Sequence, residues 1–345
     1  MKFGILGSGS WGTALAKILT DNHNSIYWWN RSESAIEHLK LRHHNPQYLQ
    51  SAHLNIAKME LTSDAETVIK NSDIIVIAIP SAYAAEVLST LDKNCFNGKK
   101  IISAIKGILP EENVLLNDYL KEHFNFSIEN YFTVLGPCHA EEVAAEKLSY
   151  LTFTGVDSTF TSRISQAFKT NYINTIENRD IYGVQYAAVL KNIYAVGSGI
   201  AHGLDYGDNF LSVLIANSAD EMAGFLRKAG ILNAEVGYLE TDKSPETLQH
   251  NNYASSVYLG DLLVTCYSLF SRNRTFGNMV GKGYSVKAAQ LEMSMVAEGY
   301  NASKCMHIIN RQVGAGMPIA ETIYQILWQH IPANEGFRHI EASLV

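Results

Sequence analysis

Cysteine is scarce and scattered: Cys95, Cys138, Cys266 and Cys305 stand far apart, with no CxxC among them. That spacing excludes a zinc knuckle and a vicinal redox pair, so a reduced cytoplasmic protein is the simplest expectation. Basic charge is also in deficit, with 27 Lys+Arg against 34 Asp+Glu and a formal net charge of -7. A general nucleic-acid binder draws its affinity from clustered Lys and Arg and is excluded, whereas local basic pockets for a small anion are not. No apolar run approaches the roughly 18 residues of a membrane span. Met1 leads straight into Lys2–Leu6, and glycines cut the apolar stretch, unlike a signal peptide. His43, His44 and His53 sit in a polar Asn/Pro/Gln stretch without a helical HxxxH. They read as solvated loop residues, and no metal site is expected.

What the chain does have is an ordinary globular composition, 47% hydrophobic over 345 residues. A single core stops growing at roughly 250–300 residues, so two domains are expected. The first half alternates short β-rich runs with helical patterns. Strands are predicted at Lys2–Leu6, Ser25–Trp29, Asp73–Ile79, Lys100–Ala104 and Tyr131–Leu135, and helices at Thr13–Thr20, Glu33–Leu41, Ala84–Leu91 and Glu111–Glu122. Unbroken Ile/Val runs between helices are what a parallel sheet covered on both faces produces, a doubly wound α/β domain. After about Asp180 long helical patterns take over, at Tyr182–Ile200, Asn209–Arg227, Tyr300–Gln312 and Pro318–Trp328. The expected domains are therefore 1–180 and a mostly helical 181–345, with the polar Ala234–Ser256 read as a loop or a locally variable insertion.

Gly7-Ser8-Gly9-Ser10-Trp11-Gly12 follows the first strand and opens the first helix, the context in which GxGxxG holds a dinucleotide. Gly7 permits the tight turn, Gly9 admits the pyrophosphate and Gly12 lets helix and strand pack closely. At the end of the second strand, where an acid would select NAD, the chain reads Trp29-Asn30-Arg31-Ser32. Arg31 suits the 2′-phosphate of NADP, so NADP or both cofactors are expected, with NADPH favoured; the alternative is that Arg31 merely leads into the next helix and stays in water.

Lys106 follows the strand Lys100–Ala104 at the sheet's carboxyl edge, where open α/β folds place ligands. Lys191 is the sole charged residue between Gly183 and Ala201. An ammonium on so apolar a helix must find a partner, reach water or lower its pKa, which makes Lys191 a candidate general acid. Downstream, Asp261 and Thr265 precede Ser271-Arg272-Asn273-Arg274. That run suits a phosphate, and equally suits a helix start with Ser271 as N-cap.

Five segments in order, GSGSWGTALA at 7–16, AIKG at 104–107, GPCHAEEVA at 136–144, LKNIYAVGSGIAHGLDYGDN at 190–209 and LGDLLVTC…SRNRTFG at 259–277, with VAEGY at 296–300, span almost the whole chain. In them the chain resembles the bacterial-type NAD(P)-dependent glycerol-3-phosphate dehydrogenases. The resemblance implies a Rossmann domain followed by a helical domain like the C-terminal domain of 6-phosphogluconate dehydrogenase. It also implies reduction of dihydroxyacetone phosphate to sn-glycerol 3-phosphate for phospholipid synthesis, and a homodimer. By position it assigns Gly7, Gly9, Ser10, Trp11, Gly12, Arg31, Lys106, Ala140, Arg272, Val296 and Glu298 to the dinucleotide. Lys191 falls on the proton donor, with Lys106, Asp261 and Thr265 beside it in the catalytic set. Lys106, Gly136, Cys138, Lys191, Asp261, Ser271, Arg272 and Asn273 fall on substrate contacts.

The chain departs from that pattern in four places. Cys138 replaces a usual Ser or Thr, Tyr258 a usual Gly and Asn217-Ser218 a usual Arg-Gly, and 231–258 is longer. Two rivals share the glycine loop: another two-domain NADP-dependent dehydrogenase of the hydroxyacid, ketopantoate or nucleotide-sugar type, and a non-catalytic NADP-binding sensor. The first has no need of the Ser271–Asn273 cluster and the second no need of Lys191.

Overall fold

A computed structural model describes residues 1–231, 257–293 and 295–345. The loop expected over Ala234–Ser256 therefore lies outside the described residues. Contacts divide the chain into two compact units, Met1–Ile105 with Val114–Ile181, and Lys106–Asn113 with Tyr182–Val345. The short segment after the fifth strand thus groups with the second unit, where Asn192 Nδ2 holds the Lys106 carbonyl at 2.8 Å.

The first unit is built on an 8-stranded sheet in the order β3-β2-β1-β4-β5-β6-β7-β8. The strands are β1 Phe3–Leu6, β2 Ile26–Trp29, β3 Met59–Thr62, β4 Ile74–Ile77, β5 Lys100–Ser103, β6 Tyr131–Leu135, β7 Ser149–Gly155 and β8 Ile173–Asn178. In β1 and β4 every side chain is buried, as expected for central strands with helices on both faces. β1 lies parallel to both neighbours, with Phe3 opposite Ile26 on one side and Ile74 on the other. Connections run outward from β1 through β2 to β3, then restart at β4 in the other direction. The ligand crevice of such a sheet opens at that reversal.

Three strands went unforeseen, and the sheet is not wholly parallel. β6 and β7 pair antiparallel, and β7 then pairs parallel with β8. β8 reads Ile-Asn-Thr-Ile-Glu-Asn with four of its six residues less than fully buried, the polar composition that protects a sheet edge and hides a strand from hydrophobicity. The helix expected over Glu111–Glu122 instead spans Leu116–Phe124. Asn113 adopts a left-handed φ of 58° and donates its N–H to the Leu109 carbonyl, which closes a turn before the helix begins.

The second unit is helical: Ile181–Gly203, Asp208–Lys228, Leu259–Tyr267, Arg272–Gly281, Val286–Glu292, Glu298–Val313, Pro318–Trp328 and Ala333–Ser343. The helix Ile181–Gly203 meets Arg272–Gly281 backbone to backbone. A Cβ on Gly277 would lie 2.0 Å from the Val196 carbonyl oxygen, and one on Gly199 2.1 Å from that of Arg274. Glycine is required on both faces, and the close approach brings Ser271–Asn273 next to the turn that carries Lys191. No helix among the described residues is long and apolar enough to cross a membrane.

Two departures from the family pattern find local roles. Asn217 pairs through both amide atoms with the backbone of Val345, at 3.0 and 3.1 Å. Tyr258 is buried and leads into the helix Leu259–Tyr267.

Candidate active site

In the first unit the turn after β1 is shaped by its glycines. Gly7 has φ +120°, and a Cβ there would meet the Ala78 carbonyl at 2.6 Å. A Cβ on Gly12 would strike the Gly7 carbonyl at 2.2 Å, whereas Gly9 faces open space with nothing within 4 Å. The helix Ser10–Asp21 that follows has no side-chain cap and no acid in its first turn. The partial positive charge of its N-terminus suits an anion beside Gly9, so the residues present fit a dinucleotide pyrophosphate. Ser10 is buried in the first turn, and Trp11 packs against the unit's core.

Other side chains hold the loop in place. Trp28 Nε1 donates to the Gly7 carbonyl at 3.0 Å, and Thr13 Oγ1 to that of Gly9 at 2.9 Å. Asn45, 3% exposed, donates to the Ser8 carbonyl at 3.0 Å and to Thr13 Oγ1 at 2.9 Å, while its oxygen accepts from Gln47 and Tyr48 N–H. Asn45 leaves no mark in the sequence, because its polar neighbours have the composition of a solvated stretch. His43 and His53 are indeed exposed.

Beyond β2, Asn30 is buried and Arg31 is exposed at the entry to the helix Glu33–Arg42. Glu33 accepts a hydrogen bond from Ser63 at 3.3 Å. Gly136 has φ +132°, with the Tyr150 carbonyl where a Cβ would sit. Cys138 is buried, and its thiol donates to that same carbonyl at 3.1 Å. The missing hydroxyl is thus replaced by a group turned toward the β7 backbone. Ala140 begins the short helix Ala140–Ala144 and is buried.

In the second unit Lys191 has found its partner. Its Nζ contacts Asp261 Oδ1 directly, with side-chain exposures of 3% and 1%. Thr265, one turn on from Asp261, donates to the Asp261 carbonyl at 2.5 Å and lies 3.4 Å from Oδ1. Asp261 Oδ2 is buried and, among the described residues, has no hydrogen-bond partner. A buried carboxylate oxygen left in this state is costly unless a ligand or water completes it. Burial pushes the pKa of the adjacent Cys266 thiol up to about 12, against the smaller pulls of Ser198 and Lys191, which keeps it in the thiol form.

The Ser271 run is both of the things its sequence allowed. Ser271 Oγ caps the helix Arg272–Gly281, accepting from Arg274 N–H at 3.3 Å. The cap uses the oxygen as an acceptor and leaves the O–H as a donor. Arg272 is exposed at the first helical position, with Nη1 3.8 Å from Met295 Sδ. Asn273 is buried and its amide is already engaged, donating to Asn192 Oδ1 and accepting from Gly299 N–H, both at 2.9 Å. Asn192, not singled out from sequence, therefore links Lys106, the Lys191 helix and Asn273. Its signal was its place beside Lys191. Lys106 is half-buried on this network, and Glu298 starts the helix Glu298–Val313 just before Gly299, with Val296 half-buried ahead of it.

Family models for the N-terminus and C-terminus of NAD-dependent glycerol-3-phosphate dehydrogenase match residues 2–161 and 180–338. Among curated relatives, a glycerol-3-phosphate dehydrogenase of Listeria monocytogenes named for NAD(P)+ is 32% identical over 335 residues, covering 97% of this chain and 94% of its own. One from Bacillus pumilus is 31% identical over 329 residues, covering 95% and 90%. Among solved structures, the glycerol-3-phosphate dehydrogenase of Coxiella burnetii superposes with a TM-score of 0.85 at 25% identity, covering 98% of both chains. A ketopantoate reductase from Ralstonia eutropha reaches 0.56 at 12% identity over 98% of this chain and 100% of its own, a likeness of fold alone.

Proposed function

The chain belongs to the NAD-dependent glycerol-3-phosphate dehydrogenase family, and from that premise we propose that it interconverts dihydroxyacetone phosphate and sn-glycerol 3-phosphate with NAD(P)H, Lys191 serving as proton donor and acceptor. The observation that carries this reading is the buried Lys191–Asp261 pair, with one Asp261 oxygen unpartnered among the described residues. It is joined through Asn192 and Asn273 to a helix N-terminus bearing Arg272.

The bound nicotinamide supplies the hydride. As the ketone carbon takes it, charge gathers on the oxygen, and the Lys191 ammonium stabilises that charge and gives it a proton. A C–H and an O–H bond form as the C=O π bond is lost. Asp261 Oδ1 keeps the ammonium charged and aimed, while Oδ2 is free to accept from the substrate's hydroxyl. The phosphate meets the guanidinium of Arg272 and the backbone N–H groups of the first helical turn. The Asn273 amide gives one N–H to Asn192, so its second N–H and the backbone N–H are what it offers the phosphate. Binding energy from the phosphate then fixes the ketone in place.

Arg31, with Asn30 where an acid would select NAD, supports NADPH as the favoured cofactor and the 2′-phosphate as the Arg31 ligand. The reading extends to glycerophospholipid supply in a reduced cytoplasm, a setting in keeping with four cysteines that form no disulfide. It extends also to a homodimer, for which exposed Val213, Leu263 and Tyr267 on two packed helices are suitable surface.

The test mixes purified protein, NADPH or NADH, and dihydroxyacetone phosphate, and follows loss of reduced-cofactor absorbance. Rapid oxidation is expected, falling by about 10²–10⁴ in Lys191→Ala. Equal rates in mutant and wild type sink the assigned role, and no oxidation with either cofactor sinks the function.

A further inference from the structure

One buried acid plays no part in that chemistry. Glu221, 7% exposed, lies on the helix Asp208–Lys228. Its Oε2 accepts from Ile319 N–H at 2.7 Å, and its Oε1 accepts from Ala320 N–H at 2.9 Å and the Tyr194 hydroxyl at 3.1 Å. The helix Pro318–Trp328 has no side-chain cap of its own, and Pro318 at its start has no N–H. Glu221 therefore caps this helix from another, serving the two N–H groups its first turn leaves open.

These contacts close a ring. Tyr194 stands one turn beyond Lys191. At the far end of the capped helix, Trp328 Nε1 donates to the Tyr300 carbonyl and Ser303 Oγ, both at 3.1 Å, and its ring stacks on Tyr300 at 4.3 Å. Next to Tyr300, Gly299 N–H is held by Asn273, which is held by Asn192 beside Lys191. We propose that Glu221 is a positioning residue for the reduction: through Tyr194 it sets the Lys191 helix, and through Pro318–Trp328 it sets the Glu298–Gly299 turn. The proposal rests on Lys191 being the proton donor.

Burial pushes the Glu221 acid up to about 7, against three hydrogen bonds that pull it down. All three partners donate, so a protonated Glu221 can place its own proton only on the Tyr194 oxygen, reversing that hydrogen bond. Of the charged groups on the surrounding helices, Lys191 is paired with Asp261 and Glu321 with His307. Among the described residues, the Tyr194 phenol alone reaches Glu221 with a side chain. The ring is complete with Glu221 ionised, so kcat declines as pH falls through the neighbourhood of 7. Stability moves the other way. An acid raised from its ordinary 4.5 contributes stability that is full below that value and lost as pH rises through its folded value. A decline in rate on acidification is therefore not a loss of fold due to Glu221.

The experiment measures kcat, both KM values and melting temperature from about pH 6 to about pH 8.5 for wild type, Glu221→Gln, Tyr194→Phe and the double variant. In Glu221→Gln, kcat is expected to be about tenfold lower at alkaline pH, within what slight misplacement costs. The inflection near neutrality should vanish and KM for NADPH stay within about twofold. Tyr194→Phe, which leaves the helix cap in place, should move the inflection to higher pH, because the phenol no longer favours the carboxylate. The double variant should be no slower than Glu221→Gln. An unchanged kcat per folded Glu221→Gln enzyme, or losses that multiply in the double variant, overturns the proposal. Amide exchange at Ile319 and Ala320 reads the same titration without substrate. That titration in a wild type that reduces nothing sinks the functional reading, and the positioning role with it, whereas catalysis with no Glu221-dependent inflection sinks the positioning role alone.

Discussion

Asp261→Asn asks how much of the site depends on one buried charge. Asn preserves the shape but leaves the Lys191 ammonium, whose side chain is 3% exposed, without its counter-ion. At an effective dielectric near 20, two unit charges about 4 Å apart attract by about 4 kcal/mol, and removing one partner of a buried pair costs about 3–5 kcal/mol. For a unit of this size each kcal/mol lowers the melting temperature by roughly 2–4 °C, so a drop of roughly 6–20 °C is expected at neutral pH. The fold has one escape, which is to shed the Lys191 proton, since a neutral amine needs no counter-ion. A lysine depressed in the folded state binds fewer protons there than when unfolded, so the variant regains stability as pH rises. That escape removes the proton donor, and kcat should fall by about 10²–10⁴. Thermal melts across pH, set beside steady-state reduction of dihydroxyacetone phosphate, check both halves. A variant melting within about 2 °C of wild type at neutral pH, with more than about a tenth of its kcat, would refute the reasoning.

Three further outcomes are expected. Arg31→Asp should lower the ratio of kcat/KM for NADPH to that for NADH by at least about tenfold, since a carboxylate repels a 2′-phosphate; an unchanged ratio would leave Arg31 as a mere lead-in to the helix Glu33–Arg42. Asn45→Ala removes both donors to the Ser8–Thr13 turn, at about 1 kcal/mol each, and should raise KM for NADPH about tenfold with little change in kcat. A KM equal to wild type would show that the loop holds its shape without Asn45. Gly277→Ala drives a Cβ to 2.0 Å from the Val196 carbonyl and should cost about 2 kcal/mol or more, or roughly 4–8 °C in melting temperature. An unaltered melt would mean that the two helices have room to part.

The central sheet was legible because its strands are buried on both faces and so appear as unbroken apolar runs, as in Ile74–Ile77. β8 and β3 were not, because edge strands carry polar side chains whose role is to face water. The glycine turn was legible because steric need leaves a residue-specific mark. Asn45 was not, since an amide that props a turn has the same composition as one in solvent. In the second unit Lys191 announced itself by isolation, but its partner lies 70 positions on and no periodicity connects the two. Ser271 and Asn273 show a different difficulty: the same residue types suit a phosphate and a helix start. Here Ser271 Oγ caps a helix while the Asn273 amide bonds Asn192 and Gly299, which leaves the Ser271 O–H and a second Asn273 N–H as donors.

The helix Ile181–Gly203 shows why a polar site leaves so little trace in an apolar segment. Lys191, Asn192 and Tyr194 occupy one turn, and successive residues step about 100° around a helix. Lys191 reaches Asp261, Asn192 reaches Lys106 and Asn273, and Tyr194 reaches Glu221. The three groups thus point to three different neighbours, so they form no polar stripe, and every residue from Ala187 to Ala201 is buried. An amphipathic helix tolerates slight rotation because one face is water. Here a rotation of a few tens of degrees would break all three contacts together, whereas a substitution breaks one. The reacting geometry is therefore held by the orientation of a single helical turn, and the glycine contacts at Gly199 and Gly277, which allow no gap between the backbones, are what oppose that rotation.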